Sequence, residues 1–485
     1  MKRILTLVLL AALCLGCLSL TAFAQGDGYT QETWENAELQ GLIYQEGEFI
    51  YSELAENYEA WWWEGDVPEI DDYAVAAFIN ARGFSMSADG RYAYIGALNG
   101  GTGIRGVSVL DMQVGKITDL YYSYNEVYAL PGSPFSYAKG IAADDRGYVY
   151  VGFAYSVNYN YLSLGIAKQE ENGKLTELCE IPVYTNEFLP GDEAGTKVGV
   201  NGVEVAKVGD KYLCFVMSNY DHDVLYCYDV TDPANPVLNK SWAIDGMIEF
   251  AASDCTIDMG GKTLKEGQYM AVDADGTLWL CVDFNEGGNG IIKIDPTGIN
   301  CVGVIEYNGV YSVSHVGKFL LAGLKDGSAI DVLDDSSFEK VASIEVPDAD
   351  RVTRMQVRND TLYVCGAGSD GMNYNYIYAA PLTSDAQAAL DAQVAQLDKY
   401  RQEDDDGDES EAPEDSTAAD TETTTQDTTE VTTEEQTEEK SEAPTTEPAT
   451  TDTPAAEGGC KGMMGGAAIV SAIALGALVI AKKKK

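Results

Sequence analysis

The side chains that most often perform catalysis are scarce in this sequence. Among 485 residues there are two histidines, His222 and His315, which excludes a metal centre built from several histidines. Ser314 precedes His315 on an expected strand, where adjacent side chains point to opposite faces, so the two cannot act as nucleophile and base. His222 falls in the expected loop sequence Asn-Tyr-Asp-His-Asp. We therefore keep His222 as a candidate ligand contact, with an ordinary exposed loop residue as the alternative.

Tyrosine is the unusual component of the composition, with 30 residues. It concentrates in residues 155–161 and 372–378, each of which contains Asn-Tyr-Asn-Tyr. Tyrosine and asparagine together suit recognition of sugars or peptides by ring stacking and amide hydrogen bonds. A strand-favouring position explains the same tyrosines without any ligand. The candidate ligand-binding residues are Tyr159, Tyr161, Asp221, His222, Tyr374 and Tyr376.

One short strand sequence recurs six times and must position any such site. The copies span 91–97, 147–153, 211–217, 277–283, 318–324 and 361–367. Several follow a tight turn of the Asp-Gly type, which is the strongest short-range hairpin signal because it accepts positive φ. The copies recur every 41 to 66 residues, which matches a four-stranded blade of ~40–50 residues with loop insertions. The sequence thus predicts an all-β fold, a six- or seven-bladed β-propeller of four-stranded antiparallel blades over residues 83–382.

The segments on either side of the repeat suggest how the ring closes. Residues 25–82 form an N-terminal segment that we expect to complete the last blade, with a hairpin at 42–51 as the donor. If the N-terminal segment supplies one strand to the last blade, the propeller has six blades. If it supplies most of an additional blade, the propeller has seven. Closure matters because it removes strand edges that would template aggregation. Residues 383–401 show apolar side chains at helical spacing and predict an amphipathic helix.

The ends of the chain predict export and membrane anchoring. Residues 1–24 have the charged start, apolar run and small-residue cleavage site of a signal peptide. Residues 402–459 are acidic and Thr-rich, and we expect a disordered linker that acts as a stalk. Residues 463–481 carry no charge and are long enough for a transmembrane helix, and the lysines at 482–485 predict a cytoplasmic tail.

Charge and cysteine content restrict the possible partners and cross-links. The net charge of −47 argues against nucleic acid, since phosphate binding requires clustered Lys and Arg. Ten cysteines are present, eight of them after the signal peptide. Cys214 and Cys227 are the best candidates for a disulfide across a hairpin, and buried free thiols are the other interpretation.

Two phrases in the repeat resemble those of known propeller families. Residues 140–151, Gly-Ile-Ala-Ala-Asp-Asp-Arg-Gly-Tyr-Val-Tyr-Val, are similar to the repeat of NHL-like and lactonase-like propellers. Residues 228–237, Tyr-Asp-Val-Thr-Asp-Pro-Ala-Asn-Pro-Val, resemble the repeat of bacterial surface propellers of the LVIVD type. The order of signal peptide, propeller, stalk, helix and lysine tail is similar to that of surface proteins of Gram-positive bacteria. These resemblances imply a propeller, and they say little about its activity.

The resemblance to lactonase-like enzymes implies one possible metal site. Such enzymes hold a divalent cation on the central axis with Glu, Asn and Asp side chains of the innermost strands. Asn201, Glu204 and Asp273 are the residues here that could supply those oxygen ligands, for example to Ca²⁺.

The sequence therefore predicts a membrane-tethered β-propeller on the cell surface that binds an extracellular glycan, peptide or protein and needs no cofactor. The alternative is a metal-dependent, lactonase-like hydrolase or lyase that uses the central channel.

Overall fold

The chain forms a β-propeller of six blades within the residues that the structure, a computed structural model, describes. The described residues are 28–42, 81–97, 106–121, 137–154, 161–185, 198–220, 222–250, 257–325, 329–347, 351–367 and 375–405. Each blade is a separate antiparallel sheet of four strands, and blade 3 carries one additional short strand. The predicted all-β fold and its four-stranded antiparallel blades are confirmed.

The blades follow one another along the chain. Blade 1 contains β2 (Ala81–Met86), β3 (Tyr92–Ala97), β4 (Gly106–Asp111) and β5 (Lys116–Tyr121). Blade 2 contains β6 (Tyr137–Ala143), β7 (Tyr148–Ala154), β8 (Tyr161–Gln169) and β9 (Leu175–Thr185). Blade 3 contains β10 (Val198–Val208), β11 (Lys211–Tyr220), β12 (Val224–Asp229), β13 (Val237–Leu238) and β14 (Met247–Glu249). Blade 4 contains β15 (Leu264–Val272), β16 (Leu278–Phe284), β17 (Asn289–Ile294) and β18 (Cys301–Glu306). Blade 5 contains β19 (Val310–Val316), β20 (Phe319–Leu324), β21 (Ala329–Asp334) and β22 (Lys340–Glu345).

Blade 6 is completed by a strand from the N-terminal side of the propeller. It contains β23 (Arg351–Arg358), β24 (Thr361–Ala367), β25 (Asn375–Pro381) and, as its fourth strand, β1 (Gln40–Leu42). β1 pairs antiparallel with β25, and Gly41 lies opposite Tyr378. The donated strand thus ends where the predicted 42–51 hairpin begins, and residues 43–51 lie outside the described residues.

A helical turn before β1 anchors this closing segment. Helix α1 (Gln31–Glu35) is capped by the Thr30 side chain and places Trp34 fully inside the core. The Trp34 ring meets Phe319 of blade 5 edge to face at 5.8 Å. The Tyr29 hydroxyl donates to Asp360 Oδ1 in the β23–β24 turn at 2.6 Å. The N-terminal segment therefore holds blades 5 and 6 together through packing as well as strand pairing.

Aspartates build the tight turns that the sequence analysis recognised. Asp144 Oδ1 accepts the backbone N–H groups of Arg146 and Tyr148, and Asp273 Oδ1 accepts those of Asp275 and Thr277. These bonds satisfy backbone N–H groups of the hairpin turn that would otherwise have no hydrogen-bond acceptor. Apolar side chains then fill the spaces between neighbouring blades, which is why the strands are buried on both faces.

The first strand of each blade lies innermost and neighbours the first strand of the next blade. The order β2, β6, β10, β15, β19, β23 closes when β23 meets β2, and these strands surround a central channel. We call the side where they begin the loop face and the side where they end, at the tight turns, the turn face. Long connections, such as 122–136 and 186–197, join strand ends at the loop face.

Helix α2 (Ser384–Asp405) follows blade 6 and buries Ala386, Leu390 and Leu397. Neither of the two described helices combines the length and apolar character needed to cross a bilayer. The predicted membrane segment at 463–481 lies outside the described residues, as do the predicted signal peptide and almost all of the predicted linker.

Cys214 and Cys227, the best candidate pair for a disulfide, do not form one, and both are buried free thiols as the other interpretation expects. Phe215, rather than Cys214, lies opposite Cys227 in the β11–β12 pair, so the two thiols point to opposite faces of blade 3. All six cysteines in the described part of the chain are free, namely Cys179, Cys214, Cys227, Cys281, Cys301 and Cys365.

Candidate functional site

A ring of β-bulges surrounds the channel near the loop face. Every innermost strand shifts register against its neighbour close to its beginning. In five of the strands the extra residue is polar, and these residues are Arg82, Lys139, Asn201, Tyr311 and Thr353. In β15 the shift spans Gln268 and Tyr269, and in β23 it falls at Thr353. Because a bulge re-aims the side chain of its extra residue, the fold places polar groups in a channel otherwise built from apolar strands. We call Arg82, Lys139, Asn201, Tyr269 and Tyr311 the bulge ring.

Hydrogen bonds connect the bulge ring from blade to blade. The Lys139 ammonium donates to Asn201 Oδ1. The Asn201 amide in turn donates to Glu266 Oε1 at 2.7 Å. Across the channel, the Tyr269 hydroxyl donates to the Arg82 carbonyl, and Arg82 Nη1 donates to the Tyr311 hydroxyl at 2.9 Å. The ring therefore ties blades 1 to 5 together through side chains.

Two cationic side chains, Lys139 and Arg82, belong to this cluster. Lys139 is only 8% exposed and has an amide oxygen as its hydrogen-bond acceptor, and no carboxylate of the described residues forms an ion pair with it. Burial lowers the pKa of Lys139. Burial acts to raise the pKa of Tyr311, but the charges of Lys139 and then Arg82 outweigh it, so the pKa of Tyr311 is lowered. The Arg351 guanidinium lies 5.0 Å from the centre of the Tyr311 ring, and its buried Nε has no hydrogen-bond partner.

Glycines directly after three bulges allow the innermost strands to approach each other. A Cβ on Gly83 would lie 2.7 Å from the Lys139 carbonyl oxygen, and one on Gly140 would lie 2.7 Å from the Val203 nitrogen. Real Cβ atoms do not approach backbone atoms this closely, so each glycine is required by the strand of the next blade.

One arginine crosses the channel immediately below the bulge ring. Arg354 of blade 6 pairs through Nη2 with Glu204 of blade 3, and its Nη1 donates to the Met270 carbonyl of blade 4 at 2.9 Å. The Arg354 side chain is 4% exposed and that of Glu204 is 17% exposed. Arg354 therefore links three blades across the axis and separates the bulge ring from the space on the turn face.

That space is a cavity of about 200 Å³ on the propeller axis. Residues from blades 2 to 6 line it, and most of them are polar or charged. Arg354, Gln356 and Arg358 alternate along β23, so their side chains share one side of this strand. Burial lowers the pKa of Arg358 to about 10. The cavity also includes the exposed Lys207, so it reaches the protein surface.

Several polar atoms at this cavity remain available for a ligand. Ser314, Glu204 and Asp273 line it, and the Ser314 hydroxyl, Glu204 Oε1 and Asp273 Oδ2 form no hydrogen bond within the described part of the chain. His315 stands beside them, stacked on Trp279 at 4.3 Å, with its Nε2 2.9 Å from Asp335 Oδ2. Donors and acceptors thus converge on a single small space.

The predicted metal ligands do not form one site. Glu204 and Asp273 both line the cavity, but Asn201 belongs to the bulge ring above Arg354. Asn201 Oδ1 accepts from Lys139 and from Asn219, and Glu204 is held by Arg354. No group of three or more potential metal-ligating side chains occurs among the described residues. The three predicted ligands therefore do not share one position, because Asn201 is held by Lys139 in the bulge ring while Glu204 and Asp273 line the cavity.

The predicted ligand-binding residues are distributed over three blades. His222 of blade 3 is half-buried, with its Nε2 2.6 Å from the Tyr226 hydroxyl and its ring 4.1 Å from that of Tyr184. Burial lowers the pKa of His222. Tyr161 begins β8 in blade 2 and Tyr376 lies at the start of β25 in blade 6, both at the loop face. Tyr159, Asp221 and Tyr374 lie outside the described residues.

The sequence analysis missed the bulge ring, although a signal for it was present. A polar residue followed by glycine opens the first strand of three units, as Arg82-Gly83, Lys139-Gly140 and Asn201-Gly202. The crossing of the channel by Arg354 has no comparable signal, because a strand sequence does not reveal which residue lies opposite across a ring.

No protein-family model and no curated protein sequence matches this chain. The PQQ-bound aldose sugar dehydrogenase of Streptomyces coelicolor is similar over 72% of this chain and 98% of its own, with 11% identity and a TM-score of 0.42. BamB of Moraxella catarrhalis is similar over 62% of this chain and 83% of its own, with 12% identity and a TM-score of 0.32. A protein of unknown function from Bacteroides caccae is similar over 54% and 80%, with 12% identity and a TM-score of 0.35. Similarity at these values carries no information on function.

Proposed function

We propose that this protein is a cell-surface binding propeller that takes a small, hydroxyl-rich ligand, the size of a monosaccharide, into the cavity on its turn face. The observation that carries the proposal is the cavity of about 200 Å³, lined by charged and polar side chains from five blades. A concave space with a few convergent polar groups is the usual form of a ligand site.

The size and lining of the cavity select the ligand class. Pockets for drug-sized ligands have roughly 300–1,000 Å³, so this space suits a smaller molecule. A sugar hydroxyl both donates and accepts, and the residues that line the cavity include Ser314, with its hydroxyl, and the carboxylates Glu204 and Asp273. Arg354 keeps Glu204 in place through their ion pair.

Surface display belongs to the same proposal. The predicted signal peptide, acidic stalk and membrane segment would present the propeller outside a Gram-positive cell, where glycans are available. The NHL-like phrase, residues 140–151, spans the β6–β7 turn. The LVIVD-like phrase, residues 228–237, runs from the end of β12 through the following turn to the start of β13. Both positions support assigning the repeat to propellers of these types.

Binding can be tested with a panel of monosaccharides on the full-length protein. Glucose, galactose, mannose, N-acetylglucosamine and glucuronate would be titrated by calorimetry into the wild type and a Ser314→Ala variant. Because the Ser314 hydroxyl has no partner in the described part of the chain, this variant should fold normally and bind the preferred sugar about tenfold more weakly, the effect of losing one hydrogen bond.

Ser241→Ala is the matched control, since Ser241 is exposed at the outer edge of blade 3, away from the channel. Its affinity should equal that of the wild type. A panel in which no sugar binds, or a sugar that binds the Ser314→Ala variant as tightly as the wild type, would rule out the cavity as the sugar site.

A further inference from the structure

The outer strand of blade 4 has an open edge. β18 comes last in the sheet order β15, β16, β17, β18, and β17 is its only strand partner among the described residues. The Tyr307 N–H, directly after β18, donates to the Asn289 carbonyl of β17 at 2.9 Å. Because inward and outward backbone groups alternate along an antiparallel edge strand, the N–H and C=O groups of Val304 and Glu306 point away from the blade. These groups can pair with a further strand.

This edge lacks the features that protect the other outer strands. Charged side chains, proline and a covering element all discourage pairing at an edge. β5 carries Lys116 and Asp119, β9 carries two glutamates and Pro182, and β22 packs against helix α1. The outer strands of blades 3 and 6 have no more than three residues each. β18 has neither charge nor proline before its last residue, Glu306.

Exposed apolar side chains adjoin the same edge. A β-bulge leaves Val302 of β18 without a residue opposite it in β17, and Val302 is 58% exposed. Ile299, in the turn before β18, is 43% exposed, and Ile244, in the neighbouring loop of blade 3, is 51% exposed. The Ala243 N–H donates to the Thr297 carbonyl at 2.7 Å, which joins that loop to this turn. We call Ile244, Ile299 and Val302 the outer patch.

An unusual backbone conformation accompanies the exposed Ile244. The residues on both sides of it, Ala243 and Asp245, have φ of 48° and 52°, a left-handed conformation that residues with a side chain rarely adopt. Backbone strain of this kind is found mainly at functional sites, where the surrounding structure enforces it. Strain next to an exposed isoleucine therefore indicates a contact surface.

The charge near the outer patch favours a second copy of this chain as the occupant. The net charge of the chain is −47, so copies generally repel each other. Residues 237–247 contain Lys240 and Asp245, and residues 293–305 contain Lys293 and Asp295, so each segment has no net charge. In a two-fold contact the same surface of both copies meets, and a lysine of one copy can then face an aspartate of the other.

We propose that two copies of this protein form a two-fold symmetric dimer through the β18 edges and the outer patch. Two identical edge strands can pair antiparallel about a two-fold axis, which would join the four-stranded sheets of both blades 4 into one continuous sheet. The outer patch of each copy is then covered by the other chain. This contact lies on the outer surface of the ring and does not depend on the proposed sugar site.

Sedimentation equilibrium of the full-length protein, in a detergent that matches the density of the buffer, measures the association. An edge-strand contact with a small apolar patch lies at the low end of interface sizes, so we expect a dimer Kd of about 10 μM. Val302→Lys places like charges in a two-fold contact and should raise this Kd about 100-fold. Because Val302 is exposed in the monomer, the variant should keep the melting temperature of the wild type.

Leu178→Lys is the matched control, because Leu178 is an exposed apolar residue on the outer strand of blade 2. It should dimerise as the wild type does. A wild type that stays monomeric at ~100 μM, about ten times the expected Kd, would overturn the proposal in favour of a different protein as the partner. A Val302→Lys variant that dimerises as tightly as Leu178→Lys would overturn it as well.

Hydrogen exchange locates the contact. When the protein concentration is raised from ~1 μM to ~100 μM, the amides of Val304 and Glu306 should exchange more slowly in the wild type, because the second strand accepts their hydrogen bonds. Val302→Lys should show no such change. Dimerisation without this protection would place the interface elsewhere and overturn the proposal.

Discussion

Replacing Arg354 should destabilise the propeller more than any exposed charge change. Arg354→Met removes the guanidinium that pairs with Glu204 and bonds the Met270 carbonyl at 2.9 Å, and it leaves Glu204 mostly buried without a counter-ion. Each hydrogen bond to a charged group contributes about 1.5–3 kcal/mol, and breaking a buried pair by removing one partner costs about 3–5 kcal/mol. We therefore expect the free energy of unfolding to fall by about 4 kcal/mol.

A double-mutant cycle shows whether this loss belongs to the pair. Removing both charges, as in Arg354→Met with Glu204→Met, leaves no unpaired buried charge, so the double variant should be more stable than Arg354→Met alone. Urea unfolding followed by tryptophan fluorescence would give the four free energies of unfolding. Trp34, Trp242 and Trp279 are all buried and will report the transition.

An exposed ion pair provides the control for this cycle. Lys211 pairs with Asp229 at 2.8 Å but its side chain is 57% exposed, so Lys211→Met should leave the free energy of unfolding almost unchanged. The reasoning about Arg354 is refuted if Arg354→Met loses no more stability than Lys211→Met, or if the double variant is the least stable of the set.

Three further predictions concern the closing segment, the bulge ring and the half-buried histidine. Trp34→Ala should lower the free energy of unfolding by about 3–5 kcal/mol in urea titrations, since it empties a fully buried site, and a change below ~1 kcal/mol would contradict the anchoring role of α1. Gly83→Ala should lower the melting temperature, because the new Cβ would clash with the Lys139 carbonyl oxygen. Gly28→Ala is the control and should leave the melting temperature unchanged, because its Cβ would have no atom within 4 Å. Equal melting temperatures of the two variants would disprove the close approach of the strands at Gly83. Burial lowers the pKa of His222, so the neutral ring contributes fully to the stability of the fold above pH 6.5 and this contribution is lost as the pH falls below that value. Urea titrations at pH 7.5 and 5.5 should therefore show a smaller pH-dependent change in the free energy of unfolding for His222→Gln than for the wild type.

The repeating architecture could be predicted because it depends on local chemistry. A strand that is apolar on both faces and follows a tight turn identifies the second strand of a blade wherever it occurs, and Tyr92, Tyr148 and Leu278 indeed begin β3, β7 and β16. Asp144 and Asp273 each bind the backbone N–H groups two and four positions later, so their effect on the turn is visible in the sequence. The sequence does not decide between six and seven blades, because the number depends on how much of the N-terminal segment joins blade 6.

The side-chain arrangement in the channel could not be predicted, because it depends on contacts between residues far apart in the chain. The metal hypothesis grouped Asn201 with Glu204, yet a bulge between Val200 and Gly202 directs Asn201 into the bulge ring. The partner of Glu204 is Arg354, 150 residues away, and no pattern in either strand reveals that pairing. Ring closure determines both contacts, and closure is a property of the whole chain.

The pairing of β1 with β25 has a consequence for how the nascent chain matures. The N-terminal strand is synthesised before every blade, yet its partner, Asn375–Pro381, is among the last described residues to be made. Until then the growing polypeptide carries open edges at both β1 and its most recent blade, which favour pairing with other chains. Truncation that removes β1 or β25 should thus yield a protein that aggregates during production, although the other five blades remain complete.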